Sequence, residues 1–347
     1  MLKNWLSLTR DFVRGNGGMA GWAYRVVTIW SFGREIASFR AGQVHHMEQR
    51  KESAELYSLR RHIHMIEKGL VMRPRRPVFA EAYIEETVAA FDHLALSEFD
   101  NSSEEFNWFV SVLASYFSAV SSDSSLPISR ARKTFEARFD ESALDRFVDS
   151  RSSPFSVGSI SVSTIDPIDF QRLLFARSSV RWFLDKTVPR EALDRASFAA
   201  SESPSACNRQ PYRIVLLDDR ELVSVVSKIP GGTAGYSENI PCLAVFIGDL
   251  SAFSEERDRH LIYIDASLAA MSFILALEVE GLATCCINWP DVAFRDSQLR
   301  EALNIKAYES AIMLVAIGYA DPLGEVPSSR KRPLGLIRQY NDIRSSN

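Results

Sequence analysis

The sequence predicts an α+β domain in residues 166–347 that follows an all-α extension in residues 1–165. Two observations lead to this division. In the second half, short apolar runs typical of strands alternate with helical segments and surround one long apolar helix. In the first half, apolar residues instead recur at the i, i+3, i+4 spacing of amphipathic helices, within residues 80–96, 104–120 and 131–147.

The elements of the second half follow in order from their local patterns. Pro189 favours the first turn of a helix, and Gly281 favours a left-handed cap after the long helix. The Ser-rich segment 150–163, with its proline and glycine, predicts an irregular connection between the two halves. The predicted helices cover residues 166–176, 189–202, 221–228 and 260–280, and the predicted strands cover residues 213–217, 242–248, 284–288 and 311–318.

The composition argues against several classes of protein. The chain has 347 residues, of which 46% are hydrophobic and 24% charged, so a sizeable core can form. A net charge of −4 argues against nucleic-acid binding as the main task. The apolar stretches 266–277 and 311–320 are shorter than a membrane span, and residues 1–14 lack the pattern of a signal peptide.

The cysteines predict neither a zinc site nor a disulfide framework, because they form no CxxC pair and no histidine cluster lies nearby. We therefore expect no metal and a reducing, cytoplasmic location. The two adjacent thiols in the predicted strand 284–288 are expected to be buried and inert. The four cysteines are Cys207, Cys242, Cys285 and Cys286.

Two short segments carry most of the functional information. Residues 177–183 combine two arginines and two hydroxyls after a predicted helix, which is enough charge and hydrogen-bonding capacity for a phosphate dianion. Residues 204–211 form a proline-bounded loop with the amide side chains of Asn208 and Gln210, the kind of group that borders a planar ring such as a flavin. Each segment alone is equally compatible with a solvated helix end or a simple turn. Together they predict a flavin mononucleotide (FMN) site.

In these segments the chain resembles the FMN-dependent nitroreductase family over residues 166–347. Five separated motifs occur in the order that the family shows. They are the basic motif of 177–183, the Pro-Ser-x-x-Asn-x-Gln-Pro loop of 204–211, Gly-Leu-x-Thr-Cys at 281–285, Gly318-Tyr319, and the basic run 330–334.

The resemblance implies a role for each matched position. Arg177 and Ser179 would bind the FMN phosphate, and Ser178 lies between them where a second arginine is common in the family. Arg181 would lie at the pyrimidine edge of the flavin, where a fixed cation stabilises the anionic reduced ring. Arg330 or Arg332 would help to bind the phosphate. The loop residues around the ring would be Pro204, Ser205, Asn208 and Gln210, and the strand end near the reactive nitrogen would be Ile287 and Asn288.

The resemblance also implies an activity. NAD(P)H would reduce the bound flavin, and an organic acceptor such as a nitro compound, a quinone or a biosynthetic intermediate would reoxidise it, with no protein nucleophile. The family implies a homodimer with FMN at the interface and residues 334–340 as an exchanged arm. The alternative is a flavin-fold protein whose flavin is covered or absent and which acts as a binding or assembly component.

The amino-terminal half carries two further features with open interpretations. Leu59, Ile63, Ile66 and Leu70 form an apolar stripe at helical spacing, next to the polar residues His64, Glu67 and Lys68. These three either reach a polar site such as an acceptor pocket or form a solvated helix face, which we favour. His62 and His64 are poorly spaced for a metal on a helix. Residues 1–40 are basic and contain three tryptophans. This composition is compatible with contact to a membrane surface or a partner protein. We favour the alternative that these helices pack on the flavin domain.

Overall fold

A computed structural model describes residues 19–51, 56–97, 99–121, 125–139 and 152–341, with side chains described in residues 32–50 and in the ranges that follow. The predictions for residues 1–18 and for the end of the 131–147 helix therefore lie outside the described residues. The predicted boundary at residue 165 stays a prediction.

Five helices make up the described part of the amino-terminal region. The apolar stripe predicted for residues 59–70 is confirmed on the second helix, α2 (Leu56–Leu70), because Leu59, Ile63 and Ile66 are fully buried in a cluster with the helices that follow. The helix predicted from residue 80 begins at Ile84, since Ala80 adopts a left-handed conformation (φ 61°) that a right-handed helix cannot continue. The helices are α1 (Met19–Lys51), α2 (Leu56–Leu70), α3 (Ile84–Leu96), α4 (Glu104–Ala119) and α5 (Leu126–Arg138).

The carboxy-terminal region is built on an antiparallel sheet of the strands β1 (Tyr212–Leu217), β2 (Cys242–Asp249), β3 (Ala283–Asn288) and β4 (Glu309–Gly318), in the order β1-β2-β4-β3. Both sheet faces are covered: alternate β2 residues such as Leu243 and Val245 lie in one core cluster, and Ala244 and Phe246 lie in the other. This architecture confirms the predicted α+β fold with its all-α extension. The elements are α6 (Pro167–Ala176), α7 (Arg190–Ser201), β1 (Tyr212–Leu217), α8 (Arg220–Lys228), β2 (Cys242–Asp249), α9 (Leu261–Val279), β3 (Ala283–Asn288), α10 (Ala293–Leu303) and β4 (Glu309–Gly318).

The long apolar helix α9 packs one face on the sheet and leaves the other exposed. Gly281 follows it with φ 73°, which confirms the predicted left-handed cap. Ile264, Leu268 and Met271 recur at helical spacing and are 52%, 43% and 42% exposed. By length and composition alone, the stretch Glu256–Val279 is long and apolar enough to cross a membrane, although the run 266–277 within it is shorter than a span. Its burial against the sheet is equally typical of a core helix.

The amino-terminal helices contact the sheet region directly. Phe39 of α1 packs in a small cluster with Leu250, Phe253 and Ile262, and His46 Nδ1 donates to Ser251 O at 3.0 Å. Packing of the first helix on the carboxy-terminal region through an aromatic side chain is thus observed for Phe39. The tryptophans on which that expectation also rested lie outside the described side chains.

Protonation of buried His62 should destabilise the fold below neutral pH. Burial lowers its pKa from 6.5 to about 4. Thr87 Oγ1 donates its hydrogen to Tyr83 O and therefore accepts from His62 Nδ1 at 3.1 Å, which suits the neutral ring. Because the unfolded chain binds the proton at higher pH than the folded chain, the free energy of unfolding should fall by about 1.4 kcal/mol for each pH unit below pH 6.5, down to about pH 4.

Urea unfolding across this pH window measures that slope. The variant His62→Gln keeps a donor for Thr87 but does not titrate, so its stability should depend less steeply on pH. Equal slopes for both proteins would contradict the attribution of the pH dependence to His62.

Candidate functional site

The arginine-rich segment 177–183 runs beside the first residues of β3. Arg177 caps the end of α6, Ser179 pairs with Thr284 in parallel, and Val180 N donates to Thr284 O at 3.0 Å. Further on, the side chain of Asn239 both accepts from Phe183 N (2.5 Å) and donates to Phe183 O (3.1 Å). The segment is therefore held in an extended form that presents its side chains at one edge of the sheet.

Arg177 and Arg181 are half-buried cations, and within the described residues neither forms an ion pair. Arg181 Nη1 lies 3.4 Å from Ser179 O, and its guanidinium lies 5.8 Å from the ring centre of Tyr236. Arg177 acts electrostatically on the acid Glu278: burial raises the pKa of this carboxyl, and Arg177 counteracts the rise without forming an ion pair within the described residues. Guanidinium groups stay charged, so this edge carries positive charge without a matching carboxylate.

The loop 204–210 is held in an unusual backbone conformation. Cys207, Asn208 and Gln210 all have positive φ, at 55°, 51° and 51°. Each such residue costs about 1 kcal/mol or more and persists only where surrounding contacts enforce it. Ala206 N donates to buried Asp265 Oδ2 at 3.0 Å, and Gln210 N donates to Ser205 Oγ at 3.0 Å.

Asn208 differs from its neighbours in the loop. Its main chain is engaged, but among the described residues its side-chain amide makes no hydrogen bond. Pro204 is exposed, whereas Ser205, Asn208 and Gln210 are half-buried. The loop thus presents a donor and an acceptor on a fixed frame.

Helix α2 contacts this loop through Arg60. Arg60 Nε donates to Asn208 O at 2.8 Å, and Nη2 donates to Gln210 Oε1 at 2.9 Å. A third guanidinium nitrogen pairs with Glu105, and the group lies 5.4 Å from the ring centre of Trp108. No sequence motif pointed to Arg60, although it lies one helical turn before His64 on the same face of α2.

His64 and Glu67 belong to this same polar face, so the favoured prediction of a solvated face is wrong for them. His64 Nδ1 lies 3.2 Å from Glu67 Oε2, and Trp108 Nε1 donates to Glu67 Oε1 at 2.9 Å. Lys68 is exposed, as a solvated face requires. Next to it, a Cβ on Gly69 would lie 2.4 Å from the ring of Phe79, so a glycine is needed there.

The two principal motifs lie at opposite corners of the sheet. Thr284 pairs with Ile317 of β4, whereas Tyr212, which follows the loop, lies in the row of Gly248 and Ser310. Three strand spacings and about seven residues along β4 give a separation of about 25 Å. One chain therefore does not bring the arginine segment and the loop together around one flavin.

The other predicted site residues lie at the end of β3 and in the basic run after β4. Ile287 is buried and Asn288 exposed at the far end of β3. Just beyond, Arg34 of α1 pairs with Asp291 and with Asp296, the latter at 2.7 Å. Arg330 and Arg332 are exposed, and within the described part of the chain their side chains make no hydrogen bond or ion pair.

The cysteines divide by strand alternation. Cys242 and Cys285 are buried, and burial raises the pKa of the Cys242 thiol to about 12, so it is unreactive. Cys286 is exposed, which corrects the expectation that both adjacent thiols are buried: successive strand residues point to opposite faces.

Comparison with known proteins locates the family within the chain. The family model of the nitroreductase family matches residues 174–230 and 233–319. Iodotyrosine deiodinase 1 of Sus scrofa is 26% identical over 197 residues, covering 49% of this chain and 67% of that protein. An NADH dehydrogenase of Thermus thermophilus is 26% identical over 206 residues, covering 50% of this chain and 97% of that protein.

Among solved structures, an FMN-dependent nitroreductase of Clostridium difficile has 24% sequence identity and a TM-score of 0.40, and the match covers 50% of this chain and 98% of that one. The family match contains the arginine segment, the loop and all four strands, whereas Arg330 and Arg332 lie beyond it. The part of the chain within residues 174–319, called the family domain below, therefore matches the nitroreductase family model, as the order of its motifs predicted.

Proposed function

We propose that this chain is an FMN-dependent oxidoreductase that takes hydride from NAD(P)H and passes electrons to an organic acceptor. The observation that carries the proposal is the pair Arg177 and Arg181, half-buried within the family domain and without a carboxylate partner among the described residues. Holding two cations in such a place is costly unless an anion neutralises them. A phosphate at Arg177 and a reduced flavin ring at Arg181 would supply that negative charge.

The residues present fit FMN in two ways. The hydroxyls of Ser178 and Ser179 lie beside Arg177 in a segment fixed against β3, so they would complete a phosphate site. The side-chain amide of Asn208 is available for the rim of a planar ring. FMN would supply the hydride transfer itself, while the protein would bind the phosphate, orient the ring and hold a positive charge at its edge.

A second copy of the chain would complete the site. The two motifs are about 25 Å apart in one chain, so a flavin held by one arginine segment would need the loop of another protomer. Two exposed apolar surfaces favour such a homodimer. One is the stripe of α9 described above. The other is α6, which has no buried residue and exposes the aromatic side chains of Phe170 (48%) and Phe175 (82%).

The names of the relatives leave the acceptor open. One group of relatives carries the name iodotyrosine deiodinase and another NADH dehydrogenase, so the family domain serves different reactions. We propose an electron-poor acceptor, a nitroarene, a quinone or a halogenated phenol, each assayed in turn with the reduced protein. A cytoplasmic location and the absence of membrane attachment remain part of this proposal.

The first experiment is an absorbance spectrum of the purified protein in the near-ultraviolet and visible range, repeated anaerobically after NADH or NADPH. Flavin bands that bleach on addition of the nucleotide are expected. Bound flavin that resists reduction would favour the alternative of a binding or assembly component. A colourless protein that takes up no added FMN would contradict the proposed cofactor.

Removal of the ring-edge cation should make the flavin harder to reduce. Arg181→Ala should lower the midpoint potential of bound FMN by about 30 to 60 mV, since a hydrogen bond from a charged group to the reduced ring is lost. Potentiometric titration measures this shift. Arg130→Ala, which removes an exposed arginine of α5 that pairs with Glu85 at 3.8 Å, should leave the potential unchanged; an unchanged potential in Arg181→Ala would disprove the placement.

Disruption of the exposed α9 stripe should separate the protomers and release FMN together. Leu268→Asp places a charge in the middle of the stripe, so sedimentation velocity should show a monomer and FMN affinity should fall. Val225→Asp is a matched control, because Val225 is 57% exposed on α8, away from the stripe. A Leu268→Asp protein that remains a dimer with full FMN affinity would place the interface elsewhere.

A further inference from the structure

We propose that Arg60, from the helical region that precedes the family domain, is a positioning residue of the flavin site. It holds the loop 204–210 in the form that directs the Asn208 amide at the flavin ring. The inference rests on the proposed function and adds to it, because it makes the amino-terminal helices a working part of the cofactor site.

The geometry of Arg60 supports a positioning role. Its side chain is 12% exposed, and its planar fork reaches two acceptors in the loop, the main-chain oxygen of Asn208 and the side-chain oxygen of Gln210. Neither acceptor lies on a regular strand or α-helix, so neither is fixed by a hydrogen-bond ladder. A guanidinium suits this task, since it donates in several fixed directions and cannot lose its charge.

Arg60 is itself held from behind. Glu105 of α4 neutralises its charge, and the indole of Trp108 lies against its guanidinium. Trp108 is in turn anchored by its hydrogen bond to Glu67. These contacts hold the arginine from the side opposite the loop, so its fork is directed at the loop acceptors.

The backbone of the loop explains why such support matters. Three residues within four positions have positive φ without being glycine, so alternative conformations without this strain compete with the one observed. Asp265, Ser205 and Ser201 support the loop from inside the family domain. From the amino-terminal helices, Arg60 donates two hydrogen bonds to it.

A lysine cannot replace this arginine fully. Its ammonium would retain the attraction to Glu105 but would act as a point charge without the fixed fork. Arg60→Ala should therefore lose both loop contacts, whereas Arg60→Lys should keep the fold and lose part of the loop alignment. The lysine variant also keeps the test valid should the alanine variant fold poorly.

The experiment compares FMN binding, the absorption spectrum of saturated flavin and its midpoint potential in the full chain and its variants. We expect Arg60→Ala to raise the dissociation constant of FMN by about tenfold, to shift the flavin bands and to change the potential. Arg60→Lys should give intermediate values. Arg138→Ala is the matched control, because it removes another inter-helix ion pair of the amino-terminal region, with Asp92 at 2.6 Å, and should alter only thermal stability.

The outcomes separate this inference from the function on which it rests. Wild-type protein that binds no FMN would overturn the proposed function and the role of Arg60 with it. Wild-type protein that binds FMN, together with an Arg60→Ala variant of equal affinity, spectrum and potential, would overturn the role of Arg60 alone. Equal losses in Arg60→Ala and Arg138→Ala would show a general effect of the helices on stability and would also overturn it.

Discussion

The strand order β1-β2-β4-β3 is the constraint on which the proposed chemistry depends. It places β1 and β3 at opposite edges, so the loop that enters β1 and the arginine segment that lines β3 cannot meet within one chain. Antiparallel register fixes this separation firmly, because a slip of one residue would turn every buried side chain of β2 toward the wrong face. A site that needs both segments is therefore a site between two chains.

The two segments differ in how they are prepared for a ligand. The arginine segment is electrostatically incomplete: it is extended and well paired with β3, yet its cations lack carboxylate partners among the described residues. The loop is conformationally demanding, because three of its residues adopt positive φ. A ligand that brings negative charge to the arginine segment and a hydrogen-bonding ring edge to the loop would complete both, and FMN has both groups.

The sequence predicted those features that depend on neighbouring residues. Strands made of short apolar runs, the cap at Gly281 and the two motifs could all be recognised because their signals lie within a few positions. Helix α10 was not predicted, since Leu299 is its one buried residue and the apolar pattern is correspondingly weak. The contact of Arg60 with Gln210 joins residues 150 positions apart, and no local pattern indicates such a pair. Strand order, and with it the need for a second chain, is equally non-local.

The contacts of the amino-terminal helices are compatible with both an enzyme and a covered flavin. Arg60 reaches the loop at one corner of the sheet, and Arg34 reaches Asp291 and Asp296 after the end of β3. Trp289, next to the exposed Asn288, donates to the same Asp296 at 3.0 Å. Both contacts lie on segments that border the proposed flavin and hold them by charge-assisted hydrogen bonds. Because helices can fix the border of a site both in an enzyme and in a component that buries its cofactor, the two differ in whether NAD(P)H can reach the flavin ring and not in these contacts.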